Sequence, residues 1–315
     1  MHLSYRTARP DDLARHFPAM CEAFAYPPDL RANVPQLWAQ WLRDGVLMAH
    51  VIERHDARSV TVEALGALVF LDDGLIEDFR RRGSPYVRAQ LMRRALAGEK
   101  VVLSPDSMRS ANRDGGLTLM ILADPRGRRG LDEEHYRLID TRWSEALYAV
   151  SGCNLRSIWH EVYGERVMRH VAGCGLRLCE DWAGYWETHG PRPTDDERPY
   201  LLGISRADAA PGTHAGFLFA HEKPRFEFTV RQQEMLQQAI GGATDDELAM
   251  HLGVSSSAVK KRWVSVYEQV SEATPGWLEG DELPGEARGS EKRRHLLNYL
   301  RQHPEELHPA CARRD

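Results

Sequence analysis

Residues 229–270 read TVRQQEMLQQAIGGATDDELAMHLGVSSSAVKKRWVSVYEQV, and their spacing predicts three helices joined by two glycine-marked turns. Thr229 followed by Gln232 has capping-box spacing, in which a hydroxyl and an amide side chain satisfy helix-start N–H groups reciprocally. That helix should run to Ile240 and stop at Gly241-Gly242. Thr244 followed by Glu247 repeats the pattern and opens a short helix through Leu252. Gly253 then turns the chain, because glycine takes positive φ at no steric cost. Ser255 or Ser256 caps a third, longer helix. Two short helices around a glycine turn, followed by a cationic helix, have the form of a helix-turn-helix.

The third helix carries two distinct faces. At about 100° per residue, Val259, Trp263, Val266 and Val270 fall in one narrow apolar stripe that should pack on the first two helices. The opposite face carries Ser257, Lys260, Lys261, Val264 and Glu268, with Arg262 on the flank. Hydroxyls and lysines near a helix start suit the major groove of DNA, where they reach base acceptors and phosphates.

The segment resembles the LuxR-type helix-turn-helix domain. The matching residues are Thr229, Glu234 and Leu236, then Gly242-x-Thr244-x-x-Glu247-Leu248-Ala249-x-x-Leu252-Gly253-Val254-Ser255, then Ala258-Val259-Lys260-Lys261. This covers about 45 of 315 residues without a gap. The resemblance implies an all-α DNA-reading domain. Lys260 and Lys261 would contact base or phosphate, Ser256, Ser257 and Arg262 phosphate, and Val264 a thymine methyl. It also implies a homodimer on double-stranded DNA with a two-fold site. The sequence departs from the family at Arg262, Val264 and Gln269-Val270, which bears on base preference. Residues 229–272 hold four basic and six acidic side chains, so there is no broad cationic footprint. A helical subdomain using this geometry only for packing is the competing reading.

Working back from this stretch, residues 1–188 read as an α/β (or α+β) unit that senses a ligand or dimerises, and 189–228 as a connector in which the short apolar segments Tyr200–Ser205 and Gly216–His221 are candidates to pair as strands. The helical domain then occupies 229–304, with an amphipathic helix at Ser290–His303. Strands are expected at Leu3–Arg6, Val46–Glu53, Val60–Phe70, Gly116–Ala123, Leu155–Glu161 and Leu176–Trp182. Helices are expected after Pro10 and over Val34–Arg43, Ile76–Arg82, Pro85–Ala97, Asp132–Val150 and Glu165–Ala172. GLTLMILA at 116–123 is a continuous apolar run, the mark of a central strand buried on both faces. The arginines at 80, 81, 82, 88, 93 and 94 form either a phosphate- or DNA-binding cluster or a solvated helix face.

A strand, the loop Asp124-Pro125-Arg126-Gly127-Arg128-Arg129-Gly130 and a helix follow one another directly. With Arg9-Pro10-Asp11-Asp12-Leu13 and Ala172-Gly173-Cys174-Gly175-Leu176-Arg177, they resemble the GNAT superfamily of acetyl-CoA-binding acetyltransferases. That family cradles pyrophosphate on helix-start N–H groups. Its loop places Gly three and Gly or Ala five positions after the first Gln or Arg. From Arg126 those positions hold Arg129 and Leu131, so the resemblance implies a degenerate GNAT-like fold. His160-Glu161 is a pair suited to a site, although a histidine at a strand end is usually structural. Trp38, Trp41, Trp143, Trp159, Trp182 and Trp186 line either a pocket or a core.

The chain has 315 residues, 42% hydrophobic and 28% charged, with a net charge of −5, which argues against wholesale coating of nucleic acid. The five cysteines (21, 153, 174, 179 and 311) include no CxxC pair and suit a reducing cytosol. Cys174 and Cys179 are either redox sensors or small buried thiols. The start, MHLSYRTARPDD, is no signal peptide, and no apolar run reaches membrane-spanning length. Fourteen histidines show no metal-ligand spacing, and there is no HExxH, P-loop or complete GxGxxG. The expectation is therefore a cytoplasmic, non-enzymatic transcriptional regulator that reads DNA as a homodimer. It would use no cofactor or metal and would have room for a small-molecule effector. The alternative is a GNAT-like acyltransferase with an accessory DNA-binding module.

Overall fold

The computed structural model describes residues 2–20, 26–125, 132–278 and 289–308. The chain divides into two units: one of residues 1–150 and 154–220, the other of 151–153 and 221–315.

The first unit is a mixed α/β sheet. It runs β1 (His2–Thr7), α1 (Pro10–Met20), α2 (Pro28–Arg31), α3 (Val34–Arg43), β2 (Leu47–Asp56) and β3 (Ser59–Leu71). Then come α4 (Asp73–Arg82), α5 (Val87–Leu96), α6 (Pro105–Asp114), β4 (Leu117–Ala123), α7 (Glu133–Leu147) and β5 (Leu155–Tyr163). It closes with α8 (Glu165–Gly173), β6 (Arg177–Glu180), α9 (Ala183–Thr188), β7 (Pro199–Ser205) and α10 (His214–Leu218). The strands lie in the order β1-β2-β3-β4-β5-β7-β6, antiparallel except for the parallel pair β4–β5. All seven residues of β4 are buried, as a strand covered on both faces requires.

Two departures from the sequence reading concern this sheet. Residues 189–228 are not simply a connector, because Pro199–Ser205 forms β7 and inserts between β5 and β6. The run PYLLGIS is short, and its partners lie far along the chain, so only the fold reveals where it pairs. The segment 216–221, expected as a strand, forms none: its first three residues close α10, whose start Thr213 caps by accepting from Gly216 N.

The core is aromatic at its centre. Trp38 and Trp143 are fully buried, and a Cβ at Gly66 on β3 would fall within the Trp143 ring, so only glycine admits α7 this close. Trp38 packs 4.5 Å from Phe17. No helix among the described residues is long and apolar enough to cross a membrane.

The second unit is helical: α11 (Val230–Ile240), α12 (Asp245–Leu252), α13 (Ser256–Ala273), α14 (Gly289–Gln302) and a 3-10 turn at Pro304–Leu307. Both expected capping boxes form, at Thr229/Gln232 and Thr244/Glu247. Gly253 ends α12 at φ 63°, and Ser255 caps α13 by accepting from Ala258 N. The stripe Val259, Trp263, Val266 and Val270 is the buried face of α13. It packs with Phe226, Phe228, Leu236, Leu248, Leu296 and Leu300 in one core.

One buried group of the sheet unit makes stability depend on pH. His50 on β2 is 7% exposed, its Nδ1 finds no hydrogen-bond partner among the described residues, and burial lowers its pKa to about 4. The unfolded imidazole titrates near 6.5, so it takes up a proton first as pH falls. The neutral ring's contribution is therefore intact above about pH 6.5 and is lost on descending toward pH 4, at a cost on the order of 3 kcal/mol. Urea unfolding of the wild type and of His50→Leu at pH 7 and pH 4.5 should show a flatter pH dependence in the variant. Equal slopes would contradict the assignment.

Candidate active site

The parallel ladder of β4 and β5 begins at Leu117↔Leu155 and ends at Ile121↔His160. Both strands continue past that point, β4 to Ala123 and β5 to Tyr163. The strands therefore part, leaving main-chain groups without their ladder partners deep in the unit. Buried peptide groups must be satisfied by something, and here side chains supply it.

Arg88, in the first turn of α5, is 3% exposed and donates from Nη1 to Leu122 O at 2.7 Å, capping the unladdered end of β4. Its guanidinium lies 4.8 Å over the Tyr163 ring, and its Nε is 3.6 Å from Glu161 Oε2. Glu161 is fully buried and accepts from Val87 N at 2.7 Å, Arg88 N at 3.0 Å and Tyr163 OH at 3.0 Å. The carboxylate thus occupies the start of α5, where the helix's first N–H groups and positive dipole end favour an anion. His160, 1% exposed, places Nε2 3.5 Å from Asp124 Oδ2 at the end of β4.

Residue 86 sits at the mouth of this cluster. Tyr86 has φ 65°, a left-handed conformation that costs a non-glycine residue on the order of 1 kcal/mol or more. The conformation aims the next two N–H groups at Glu161. The Tyr86 ring lies 6.1 Å from Trp186 and stacks at 6.2 Å and 23° on Tyr163. Burial, reinforced by the Glu161 charge, pushes the Tyr163 phenol well above its ordinary range. Burial and then Glu161 and Glu197 push Tyr86 up as well. Both phenols therefore hold their protons at neutral pH, and Tyr163 donates its own to Glu161.

Past Ile121 and His160 the facing edges of β4 and β5 no longer pair with each other, and an extended, amide-bearing chain can pair with such edges as an added strand does. The described start of α7 is less welcoming to a diphosphate. Asp132 caps it by accepting from His135 N, and Glu133 and Glu134 follow. Countercharge would have to come from Arg126, Arg128 and Arg129, which lie outside the described residues.

No family model matches the chain, and no curated protein matches it. Solved structures do. A mutant form of the spermidine/spermine N-acetyltransferase SpeG from Vibrio cholerae aligns at 13% identity over 69% of this chain and 96% of its own, with a TM-score of 0.35. A putative arylalkylamine N-acetyltransferase 7 from the yellow fever mosquito aligns at 12% identity over 64% and 87%, with a TM-score of 0.39. The polyamine N-acetyltransferase of Drosophila melanogaster, which forms N-acetylagmatine, aligns at 13% over 65% and 100%, with a TM-score of 0.36. At these identities the likeness is one of fold, and no residue role is carried across.

These matches correct the expectation of a non-enzymatic, DNA-reading transcriptional regulator, since the structures named are N-acetyltransferases and accord with the acyltransferase alternative. The physical reason for the miss is that capping boxes and apolar spacing specify how helices pack, not what they bind. Of the six residues assigned to DNA, Ser257, Lys260 and Lys261 are exposed on α13, and Val264 is 54% exposed. Ser256 Oγ instead donates to Asp246 at 3.0 Å, and Arg262 Nη1 to Arg231 O at 3.2 Å. Arg293 is also engaged within the unit, with Asp245 at 2.6 Å and over the Trp263 ring at 4.4 Å.

The arginine cluster of α4 and α5 resolves into separate roles. Arg82 and Arg94 pair with Asp78, Arg93 pairs with Asp29, Arg80 lies 5.7 Å over Trp159, and Arg88 alone of these is buried. A signal for this was present in the sequence, since Arg88 stands one turn before Leu91 and Met92 on the stripe that α5 buries. Burial raises the Cys179 thiol, which disfavours the thiolate a redox sensor needs. Cys21 and Cys311 lie outside the described residues.

Arg88→Ala should leave Glu161 buried without its cation and cost about 3–5 kcal/mol by urea unfolding. A loss below about 1 kcal/mol, the range of an exposed pair, would contradict the arrangement.

Proposed function

We propose that the sheet unit is a GNAT-like N-acyltransferase that passes an acyl group from an acyl-CoA to an amine. The observation that carries this reading is the parting of the one parallel strand pair, β4 and β5, over a buried cluster of proton-holding groups. The thioester supplies the activated acyl group, and the chain's residues handle orientation and protons. His160, beside Asp124, is the imidazole in the gap suited to take a proton from the attacking amine. Tyr163, kept protonated, spends its O–H on Glu161 and so helps to fix that carboxylate in place. Glu161 is a positioning residue, since its oxygens already accept from Val87 N, Arg88 N and Tyr163 OH. The rings of Tyr86 and Trp186 with Glu197 nearby suit a cationic acceptor.

Acetyl-CoA should raise the melting temperature of the full chain, and Arg126→Ala combined with Arg128→Ala should abolish that rise. No stabilisation of the wild type at about millimolar acetyl-CoA, well above the usual substrate range, would sink the reading.

For the helical unit we infer an accessory role of LuxR-type shape, apart from the regulator reading set aside above. The exposed Lys260 and Lys261 are its contacts to duplex DNA, and the homodimer is a proposal of the same standing. Lys260→Ala with Lys261→Ala should flatten the salt dependence of a mobility shift by about two phosphate contacts. An unchanged slope, or no shift at low salt, would contradict it.

A further inference from the structure

The helical unit contains two neighbouring buried carboxylates in contrasting states. Glu306, 1% exposed, accepts from Arg225 N at 2.9 Å, Phe226 N at 3.0 Å and Tyr299 OH at 3.1 Å. Glu305, 6% exposed, has a single side-chain hydrogen-bond partner among the described residues, His303 Nδ1 at 2.8 Å. A buried carboxylate with one titratable partner is costly unless a cation compensates it. Beside it stands a third ligand-type group, Glu222, from a segment far earlier in the chain. One ligand atom from each of Glu222, His303 and Glu305 lies within 4.8 Å of the others.

The surrounding structure holds these groups in place. His221 donates from Nδ1 to Gly152 O at 2.8 Å, which fixes the segment carrying Glu222. Gly152, at φ 84°, lies under the Pro304–Glu305 peptide so closely that a Cβ would meet Glu305 Cα at 2.8 Å. The His303 ring stacks on Tyr299 at 4.1 Å and 20°. His303 and Glu305 are thus set on a rigid turn, while the exposed Glu222 is free to close the short remaining distance.

We propose that Glu222, His303 and Glu305 bind a divalent transition ion, with water completing the shell. Two carboxylate oxygens and one imidazole nitrogen, with no sulfur, suit Zn2+ or Mn2+ rather than a soft monovalent ion. Bonds of about 2.1 Å to a tetrahedral ion put ligand atoms about 3.4 Å apart, so atoms already within 4.8 Å of one another need only small side-chain adjustments to hold it. The ion would tie residues 221–222 to the turn at 303–305. It would also neutralise the one buried carboxylate of the pair that main-chain donors do not reach.

The test uses the full-length protein stripped with a chelator and titrated with ZnCl2 and MnCl2 by calorimetry and thermal shift. One equivalent of at least one ion should bind and raise the melting temperature. Glu222→Gln, at an exposed position, should melt as the wild type does without metal but bind at least about tenfold more weakly. His303→Gln should lose the same binding. Absence of binding for both ions, or wild-type affinity in Glu222→Gln, overturns the site. The second result would place any bound ion on other side chains.

Discussion

The sheet unit depends on one buried carboxylate. Glu161 lies where the parallel pair β4–β5 comes apart, and it accepts from the first N–H groups of α5 and from Tyr163 while facing Arg88. Arg88 in turn satisfies Leu122 O, the main-chain acceptor that the parting of the strands leaves without a ladder partner. Strand separation is what a ligand-binding gap requires, and this charge network keeps its cost tolerable. Such networks are favourable only when fully satisfied, so each member constrains the others. The left-handed backbone at Tyr86 is the strain this constraint imposes.

How much of this was legible follows from the range of each interaction. The helical unit was written locally: both capping boxes, the positive φ of Gly253, the Ser255 cap and the buried stripe of α13 involve residues a few positions apart. β4 was legible because a strand buried on both faces leaves a continuous apolar run. β7 was legible as a short apolar segment at Tyr200–Ser205, but its place between β5 and β6 was not, and only the assembled sheet shows it.

The candidate-site cluster was the least legible. His160-Glu161 stood out as a pair, yet their chemistry comes from Asp124 and from Val87 and Arg88, tens of residues away. Arg88 was hidden among five other arginines, of which Arg80, Arg82, Arg93 and Arg94 serve ion pairing. The Glu222, His303 and Glu305 group shows the same limit, because metal-ligand spacing exists there only in space. Function was misjudged for a related reason. The clearest local pattern lay in the helical unit, and clarity of pattern reports how firmly a shape is specified, not which unit carries the chemistry.

The central claim is that the parted strands serve acyl transfer. Its most direct test is to incubate the full chain with acetyl-CoA and a panel of polyamines and arylalkylamines, and to look for acetylated product by mass spectrometry. The account predicts an acetylated amine that the wild type forms and that His160→Gln forms far more slowly while still binding acetyl-CoA. Absence of product across the panel, from protein that binds acetyl-CoA, would contradict catalysis and leave the gap as a binding site alone.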